Sequence, residues 1–583
     1  MLSATRFLRG ASRRAGATPR GDGALLIGGR RRCFAARAAQ LDREVVHAEV
    51  TETATVTASA SASTLGYSYT SASPAPSGSS SPSTSSGHDT TPGVAFMDAQ
   101  PGGNLNPGPG PSAEPRKVAE LDAEKFRLHP SVAFWQDFSS QINTMWAQTE
   151  VSMTAPLQTL VERAVAARVL SDPQSTAYWA YHTARMSFFV SQAAAGVVAH
   201  HLSETLPTSL SGLAGLVTGG SAASAGSSAG SGGGSGPKET PFTRLSANAS
   251  KEFGNRAAEA IATFQQDYDN IKSGAYPLPW DMTSPSHRQY NPLNVLGRSA
   301  QFIQESVATL RRRVREQPEP LWLEGGKLYP QYYTKTFHFQ TDGWFSSWSA
   351  NVYEFSTEVL FFGRQDAMQR TSLLPIADFV RESGARPADL RLLEVAAGTG
   401  RFHTFIKDAY PDMRTVCSDL SPFYLARARN NLRYWRRLRA PGRSLGGVDE
   451  TGTEFLQTAA EDIAAPDESF DIVVCVYLFH ELPEAVRRRA VAEFARVLRP
   501  GGLLVLTDSV QLGDRPAWDN TIGLFSNFNE PYYRNYVACD LGAMCQSVGL
   551  VPDTKYLCSA TKTLSFRKAA SGEAPATAPA VDN

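Results

Sequence analysis

The sequence predicts an α/β protein with a doubly wound sheet and an additional helical region on its N-terminal side. From Leu392 onward, short apolar runs alternate with helical patterns, which is typical of a parallel sheet covered by helices on both faces. Before the sheet, from about Ala119, apolar residues recur at helical spacing. The sheet and the helical region together account for most of the chain that can pack.

The elements of the sheet follow one another in a regular order. Strands are expected near Leu392–Val395, Thr415–Asp419, Glu454–Gln457, Phe470–Val476 and Leu503–Asp508. Helices are expected after Gly400, after Ser421, which can cap with Pro422 at the first helical position, and after Pro483, which suits a first turn. Two segments near the end, "TKYLCS" and "TKTLSFRK", predict a closing hairpin.

Composition excludes several classes of protein. The 583 residues exceed one ordinary domain. Lys+Arg and Asp+Glu both number 56, so no overall charge favours nucleic acid, and no nucleic-acid partner is expected. The six cysteines form no CxxC pair, so neither a zinc site nor a disulfide framework is predicted. Cys417 and Cys475 fall inside predicted strands and are expected to be reduced core thiols.

The chain is predicted to divide into seven segments. The first forty residues carry nine arginines and one acid, Asp22, which is typical of an organellar transit peptide; a merely basic tail is the alternative. These residues alone do not separate mitochondrion from plastid. The segments are a transit peptide (1–40), a low-complexity disordered stretch (41–118), a helical region (119–206), a Gly/Ser linker (207–240), a second helical region (241–321), the α/β domain (322–568) and a disordered tail (569–583).

The helical region contains one long apolar stretch, "AYWAYHTARMSFFVSQAAAGVVAHHL". Polar residues such as Arg185 and Gln192 interrupt it, so it predicts an amphipathic or buried helix and no membrane span. Three roles stay open for the region: docking a partner, docking a membrane surface, or covering the sheet.

The loop that follows the first strand is the predicted ligand site, because ligands of such sheets bind at the carboxyl ends of the strands. Gly398 and Gly400 fit the start of a dinucleotide fingerprint, but His403 stands where its last glycine belongs. No Lys-Ser/Thr pair follows, as a phosphate-binding loop would require. Taken alone, two glycines indicate only a tight turn.

Three further motifs follow in a fixed order. Glu394 precedes the loop, and Asp419 ends the second strand, where a carboxylate can accept from both hydroxyls of a ribose. An acidic pair, Glu461-Asp462, lies in "AAEDIAAPDESFDIVVCVYLFHELP", and "ARVLRPGGLLVLTDS" supplies a Pro-Gly-Gly turn and a buried strand. Together these motifs resemble the class I S-adenosylmethionine-dependent methyltransferases, nearest to the ubiquinone/menaquinone-biosynthesis ("methyltransferase 11") type, over roughly 363–568. Segments such as "NEPYYRNY" resemble the corresponding segments of uncharacterised cyanobacterial and plastid methyltransferases.

The resemblance implies a Rossmann-like sheet of seven strands and S-adenosylmethionine as cofactor. Ala396 stands where the family's first glycine belongs, a replacement that also occurs in its quinone-methylating branch. By match to the family's motifs, Glu394 orients the cofactor's amino group, and Gly398 and Gly400 allow the loop backbone to approach the cofactor closely. Asp419 holds the ribose. Glu461 or Asp462 borders the adenine, and Val476 and Tyr477 offer backbone groups at the end of the fourth strand. For Glu461 and Asp462, the alternative is loop solvation.

His480 is the candidate general base, because in this family it faces the transferred methyl group. A base is needed only if the acceptor must lose a proton. The alternative is a histidine that caps a helix or bonds a backbone carbonyl. Two aromatic segments, Tyr329–Trp344 and Leu524–Tyr536, are candidates for the acceptor pocket or for packing.

The sequence therefore predicts an organellar methyltransferase that acts on a small acceptor, which is hydrophobic or aromatic. A lipid is among the acceptors considered. The alternative is a methyltransferase-fold binding or assembly factor without its own turnover. The plastid is favoured over the mitochondrion by the resemblance. No metal is expected, and peripheral association with a membrane stays open.

Overall fold

An eight-stranded sheet is the centre of the fold. The computed structural model describes residues 116–148, 172–205, 241–321, 328–442 and 451–569. The predicted transit peptide, Gly/Ser linker and tail, and nearly all of the predicted low-complexity stretch, lie outside the described residues. The strands are β1 (Arg127–Leu128), β2 (Arg391–Val395), β3 (Arg414–Asp419), β4 (Thr453–Gln457), β5 (Phe470–Val476), β6 (Leu498–Ser509), β7 (Leu550–Cys558) and β8 (Thr561–Lys568).

The strand order is β1-β7-β8-β6-β5-β2-β3-β4. Strands β2 to β6 pair in parallel, and β8 runs antiparallel between β6 and β7. The chain runs outward from β2 through β3 to β4 and then returns to the other side of β2 as β5. The carboxyl ends of β2 and β5 therefore form the topological switch point, where ligands of such sheets bind.

Seven strands confirm the predicted sheet and its closing hairpin. The eighth, β1, was not predicted, because two residues carry no periodic pattern. It comes from the helical region and pairs in parallel with β7 at the sheet edge. The helical region is thus joined to the sheet by backbone hydrogen bonds.

Most helices begin and end within a few residues of the boundaries predicted from the sequence. Those before the sheet are α1 (Val118–Lys125), α2 (Pro130–Gln148), α3 (Pro173–Thr205), α4 (Pro241–Lys272), α5 (Trp280–Thr283), α6 (Pro292–Val314), α7 (Ser347–Leu360), α8 (Gln365–Arg370) and α9 (Leu373–Ser383). Those within it are α10 (Arg401–Ala409), α11 (Pro422–Arg439), α12 (Glu484–Val497), α13 (Tyr533–Val537) and α14 (Leu541–Gln546).

The helix starts can be explained locally. Ser421 caps α11, since its hydroxyl accepts from the Tyr424 N–H at 3.2 Å, and Pro422 occupies the first turn as predicted. Pro483 instead precedes α12, which begins at Glu484. The helical course is interrupted between α7 and α8, because Phe362 and Gly363 adopt left-handed φ angles of 51° and 81°.

The helical region covers the sheet, which was one of its three predicted roles. From α2, Trp135 and Phe138 pack in one core with Leu393 of β2. On the other side of the sheet, Tyr178 of α3 and Phe264 of α4 share a core with other strand residues. Within the described residues, no helix combines the length and apolar content that a membrane crossing requires.

A buried cluster of four charges joins α1 to the last two strands. Lys555 of β7 and Lys562 of β8 donate to Asp122 at 2.8 and 3.0 Å, and Lys555 also donates to Asp514. All four side chains are at most 1% exposed. Burial opposes ionisation of Asp122, but Lys562 and Lys555 outweigh it and hold its pKa below the usual value.

Replacing Lys555 with methionine should lower the free energy of unfolding by about 3–5 kcal/mol, because two buried carboxylates would then share one cation. Chemical denaturation of the full chain measures this. Arg386→Met is the matched control, since Arg386 pairs with Asp389 on an exposed surface and should leave the midpoint almost unchanged. Equal effects of the two variants would show that the cluster does not hold α1 on the sheet.

Candidate active site

The loop after β2 adopts a backbone conformation that favours glycine. Ala396, Gly398 and Gly400 have φ angles of 53°, 57° and 69°, all in the left-handed region. Ala396 therefore keeps the conformation of the glycine that it replaces, at a local cost of about 1–2 kcal/mol. The predicted departure from the motif leaves the shape of the loop intact.

Gly400 acts through packing. A Cβ atom added there would lie 2.8 Å from the Cβ of Ala428 on α11, so only glycine lets α10 begin this close to α11. Gly400 does not itself line the groove above the loop. From the sequence, Gly400 was predicted to allow close approach to the cofactor. In the structure it allows α10 and α11 to approach each other.

A groove of about 100 Å³ lies over the loop and the carboxyl ends of β2, β3 and β5. Of the residues predicted from sequence, six line it: Glu394, Ala396, Gly398, Asp419, Val476 and Tyr477. The aromatic side chains Tyr333, Trp344 and Tyr353 also line it and contribute apolar walls. From Tyr332 to Glu481, the lining residues are separated by up to 149 positions in the chain.

Asp419 is held by the loop that it faces. Its Oδ2 accepts from the Gly398 N–H at 2.8 Å, and its Oδ1 accepts from the Ser421 N–H at 2.8 Å. The Tyr333 hydroxyl also donates to Oδ1, at 3.5 Å, whereas Oδ2 retains a further lone pair that can accept from a ribose hydroxyl. Burial raises the pKa of Asp419 to about 6, although the backbone hydrogen bonds act in the opposite direction.

Glu394 is oriented by His403, the residue that stands in place of the third glycine. His403 Nδ1 lies 2.7 Å from Glu394 Oε2, and its Nε2 lies 2.9 Å from the Thr415 hydroxyl. Burial lowers the pKa of His403 to about 3, so the ring is neutral. Burial, reinforced by Asp419, holds the pKa of Glu394 well above its usual range. A cation in the groove would favour its ionised form.

The acidic pair predicted to border the adenine does not line the groove. Glu461 accepts hydrogen bonds from the Tyr332 hydroxyl at 2.7–2.8 Å, and Asp462 closes a tight turn onto Ala459. The residues that line the groove here are 458–460. Residues 458–460 thus take the place at the groove that was predicted for the acidic pair, because the turn at Ala459–Asp462 could not be read from the sequence.

The geometry does not support His480 as a base. Its Nδ1 lies 2.6 Å from Asp508 Oδ1, and it does not line the groove. Burial lowers the pKa of His480, but Asp508 outweighs burial and raises it to about 10. The imidazole is therefore a cation at neutral pH, paired with the Asp508 carboxylate, which is neither the predicted base nor the helix cap or backbone-carbonyl bond given as the alternative.

Glu481, the next residue, lines the groove. Burial raises the pKa of its carboxyl to about 8; His480 opposes this shift, while Glu530, Asp508 and Asp419 add to it. A carboxyl that titrates near neutral pH is suited to accepting a proton. Sequence reasoning missed this role, although Glu481 adjoins the histidine that was chosen.

The two aromatic segments have different positions. Tyr332, Tyr333 and Trp344 of the first line the groove. In the second, Tyr533 and Tyr536 pack against the His480 ring at 5.9 and 6.1 Å between centroids, and none of its residues lines the groove. The second segment supports the His480–Asp508 pair.

The donor set fits S-adenosylmethionine, whose sulfonium and ammonium groups are cationic. Two buried carboxylates, Asp419 and Glu394, face the groove. The cation at the start of α10, Arg401, is paired with Asp281 and Asp366 at 2.6 Å, so it is engaged away from any pyrophosphate. A left-handed loop after β2 and an acidic residue ending β3 agree with the resemblance to a class I S-adenosylmethionine-dependent methyltransferase domain.

Comparison with known proteins supports this class. Residues 393–506 match a family described as a methyltransferase domain. The chain is 31% identical to demethylmenaquinone methyltransferase of Deinococcus radiodurans over 25% of this chain and 55% of the relative. It is 29% identical to malonyl-[acyl-carrier protein] O-methyltransferase of a Paenibacillus species over 24% of this chain and 47% of the relative. The chain thus spans about half the length of these curated relatives.

Among solved structures, a SAM-dependent methyltransferase from Aquifex aeolicus is similar at 17% identity. The match covers 35% of this chain and 94% of that protein, with a TM-score of 0.25. The chain carries a class I S-adenosylmethionine-dependent methyltransferase domain.

Calorimetric titration of the full chain should show S-adenosylmethionine binding that Asp419→Asn weakens by about 1–3 kcal/mol, because a buried polar contact loses its charge. Affinity should also fall as the pH drops through about 6, since Asp419, whose pKa is raised, then takes up a proton. Asp378→Asn, on the outer helix α9, is the control and should bind normally. Unchanged affinity in Asp419→Asn would contradict the ribose assignment, and equally strong binding of NAD would favour the dinucleotide fingerprint instead.

Proposed function

We propose that the chain transfers a methyl group from S-adenosylmethionine to a small, hydrophobic or aromatic acceptor in an organelle. The observation that carries this proposal is the groove, where two buried carboxylates and a left-handed loop meet a titratable carboxyl, Glu481. The two relatives are named for chemically different acceptors, a quinone and a malonyl group on a carrier protein, so they do not choose the acceptor.

Alignment and exclusion of water are the main tasks of the protein. When bound, S-adenosylmethionine supplies a methyl group already activated on a sulfonium. Asp419 holds the ribose and Glu394 the amino group, which fixes the direction of that methyl group. The aromatic walls from Tyr333, Trp344 and Tyr353 keep water from the reacting atoms.

Glu481 accepts the proton when the acceptor is a hydroxyl compound. The acceptor oxygen would take the activated methyl group that S-adenosylmethionine supplies, the neutral sulfur product would leave, and the proton of that oxygen would pass to the Glu481 carboxylate. His480, held cationic by Asp508, lies 3.9 Å from Glu481 and stabilises the ionised carboxylate before transfer.

The full chain, given methyl-labelled S-adenosylmethionine and an organellar lipid extract, should yield labelled product. Glu481→Gln should lower kcat by about 10²–10⁴-fold, the usual contribution of a positioned base. The wild-type rate should rise with pH through about 8, as Glu481 loses its proton, and the variant should lose this ionisation.

Two controls complete this test. Glu484→Gln, on the exposed start of α12, should be as active as wild type. Both variants should bind S-adenosylmethionine with nearly unchanged affinity. If wild-type protein binds the cofactor but labels nothing in the extract, the binding or assembly factor without turnover replaces the enzyme. If Glu481→Gln retains its rate within a few-fold, alignment alone accounts for transfer.

The organellar site of action rests on the arginine-rich first forty residues. A fusion of residues 1–40 to a fluorescent reporter should enter an organelle, with the plastid favoured over the mitochondrion. A version with its nine arginines replaced by glutamine should stay in the cytosol, because import of such segments depends on their positive charge. Diffuse fluorescence from the unmodified fusion would overturn this part of the proposal.

A further inference from the structure

A second cavity, of about 500 Å³, adjoins the cofactor groove. The two share four lining residues: Tyr353, Gln369, Thr399 and Arg401. We call this second cavity the chamber. One wall comes from α3 and from the segment 281–298 of the helical region, and the opposite wall comes from α7 and α8. The matched methyltransferase segment, 393–506, supplies only Thr399, Arg401 and Arg427.

Much of the chamber wall is apolar. Phe188 and Phe189 of α3 face Phe355 of α7, with ring centroids 5.8 and 5.3 Å from that of Phe355. A volume of about 500 Å³ lies within the range of about 300–1,000 Å³ that is typical of sites for small organic ligands. The chamber is therefore large and apolar enough for the body of an organic molecule.

The charges on the α3 side of the chamber are matched within the protein. Arg185 lies 2.8 Å from both Glu358 and Asp366, and Arg401 lies 2.6 Å from both Asp366 and Asp281. Each of these arginines is shared between two carboxylates, so three carboxylates face two arginines. This side therefore does not favour an anionic ligand.

The α6 side has an excess of positive charge. Arg298 donates to the Asn351 carbonyl, and no carboxylate of the described residues lies within 4 Å of its guanidinium. Arg288 donates to Asn431 at 2.8 Å and reaches Glu354 only at 4.0 Å. Burial lowers the pKa of Arg288 to about 10 and also lowers that of Arg298. An anion on this side would relieve the cost of burying both cations.

Tyr353 lies at the junction of the two cavities. Within the described part of the chain its hydroxyl has no hydrogen-bond partner, although the ring packs against Trp344 and Tyr424. A polar group that passes from the chamber to the groove can bond this hydroxyl.

We propose that the chamber is the acceptor site and that it takes a largely apolar molecule with a carboxylate, which Arg298 and Arg288 bind. The inference rests on the proposed function and names its substrate class. The apolar body lies against Phe188, Phe189 and Phe355, and the reacting end extends past Tyr353 toward Glu481. The helical region then selects the acceptor, while the methyltransferase domain binds the cofactor.

The test uses two probes of nearly equal size, 2-naphthoate and the neutral 2-naphthylmethanol, titrated calorimetrically into the full chain. Wild-type protein should bind naphthoate at least about tenfold more tightly, which corresponds to about 1.4 kcal/mol. Arg298→Met should abolish this preference and keep the affinity for S-adenosylmethionine. Arg386→Met, which removes an exposed arginine far from the chamber, should behave as wild type.

A second variant tests the location. Val295→Trp, which places a large ring in the chamber wall, should block both probes and leave S-adenosylmethionine binding intact. Equal binding of the two probes to wild type, or an unchanged preference in Arg298→Met, would overturn the carboxylate assignment. Unimpaired probe binding in Val295→Trp would overturn the chamber itself. Failure of the proposed function is distinct, because it would remove labelled product while these binding results remain.

Discussion

Both faces of the central sheet are apolar, and the need to cover them determines the rest of the structure. Leu393 and Val473 belong to the core on one face, and Leu392 and Ile472 belong to the core on the other. Helices α2, α3 and α4 contribute aromatic and aliphatic side chains to these two cores, so the helical region folds onto the sheet. Because α3 and the segment up to α6 follow this course, they also form a wall beside the cofactor groove.

Burial of charge is the second theme of the molecule, and its consequences differ with location. At the sheet edge, Lys555 and Lys562 are matched by Asp122 and Asp514, and the cluster joins distant segments. In the groove, burial raises the pKa values of Asp419 and Glu481 toward neutrality, although His480 lies 3.9 Å from Glu481 and opposes the shift there. Such carboxyls are poised to bind a cationic cofactor or accept a proton. The chamber has the opposite charge balance, because more arginines than carboxylates line it.

Local sequence succeeded where chemistry and chain direction are linked. Asp419 could be placed at the groove because it ends a strand, and the carboxyl ends of parallel strands share one edge of the sheet. It failed where a distant segment decides the role of a residue. His480 has the spacing of a base, but Asp508, on β6, lies beside it and makes it a cation. The sequence around Glu461 likewise does not show that the hydroxyl of Tyr332, far upstream, donates hydrogen bonds to its carboxylate.

By itself, the sequence determined the alternation of strands and helices, the left-handed loop before α10 and the carboxylates that face the cofactor. These features depend on periodicity, on glycine and on strand ends, all of which are local. Only the tertiary structure decided which acid can accept a proton and where an acceptor can lie. The first property depends on burial and on charges such as those of Asp508 and Glu530. The second depends on α3 and α6, which lie about a hundred or more residues before the loop. A linear pattern does not contain the distances that set them.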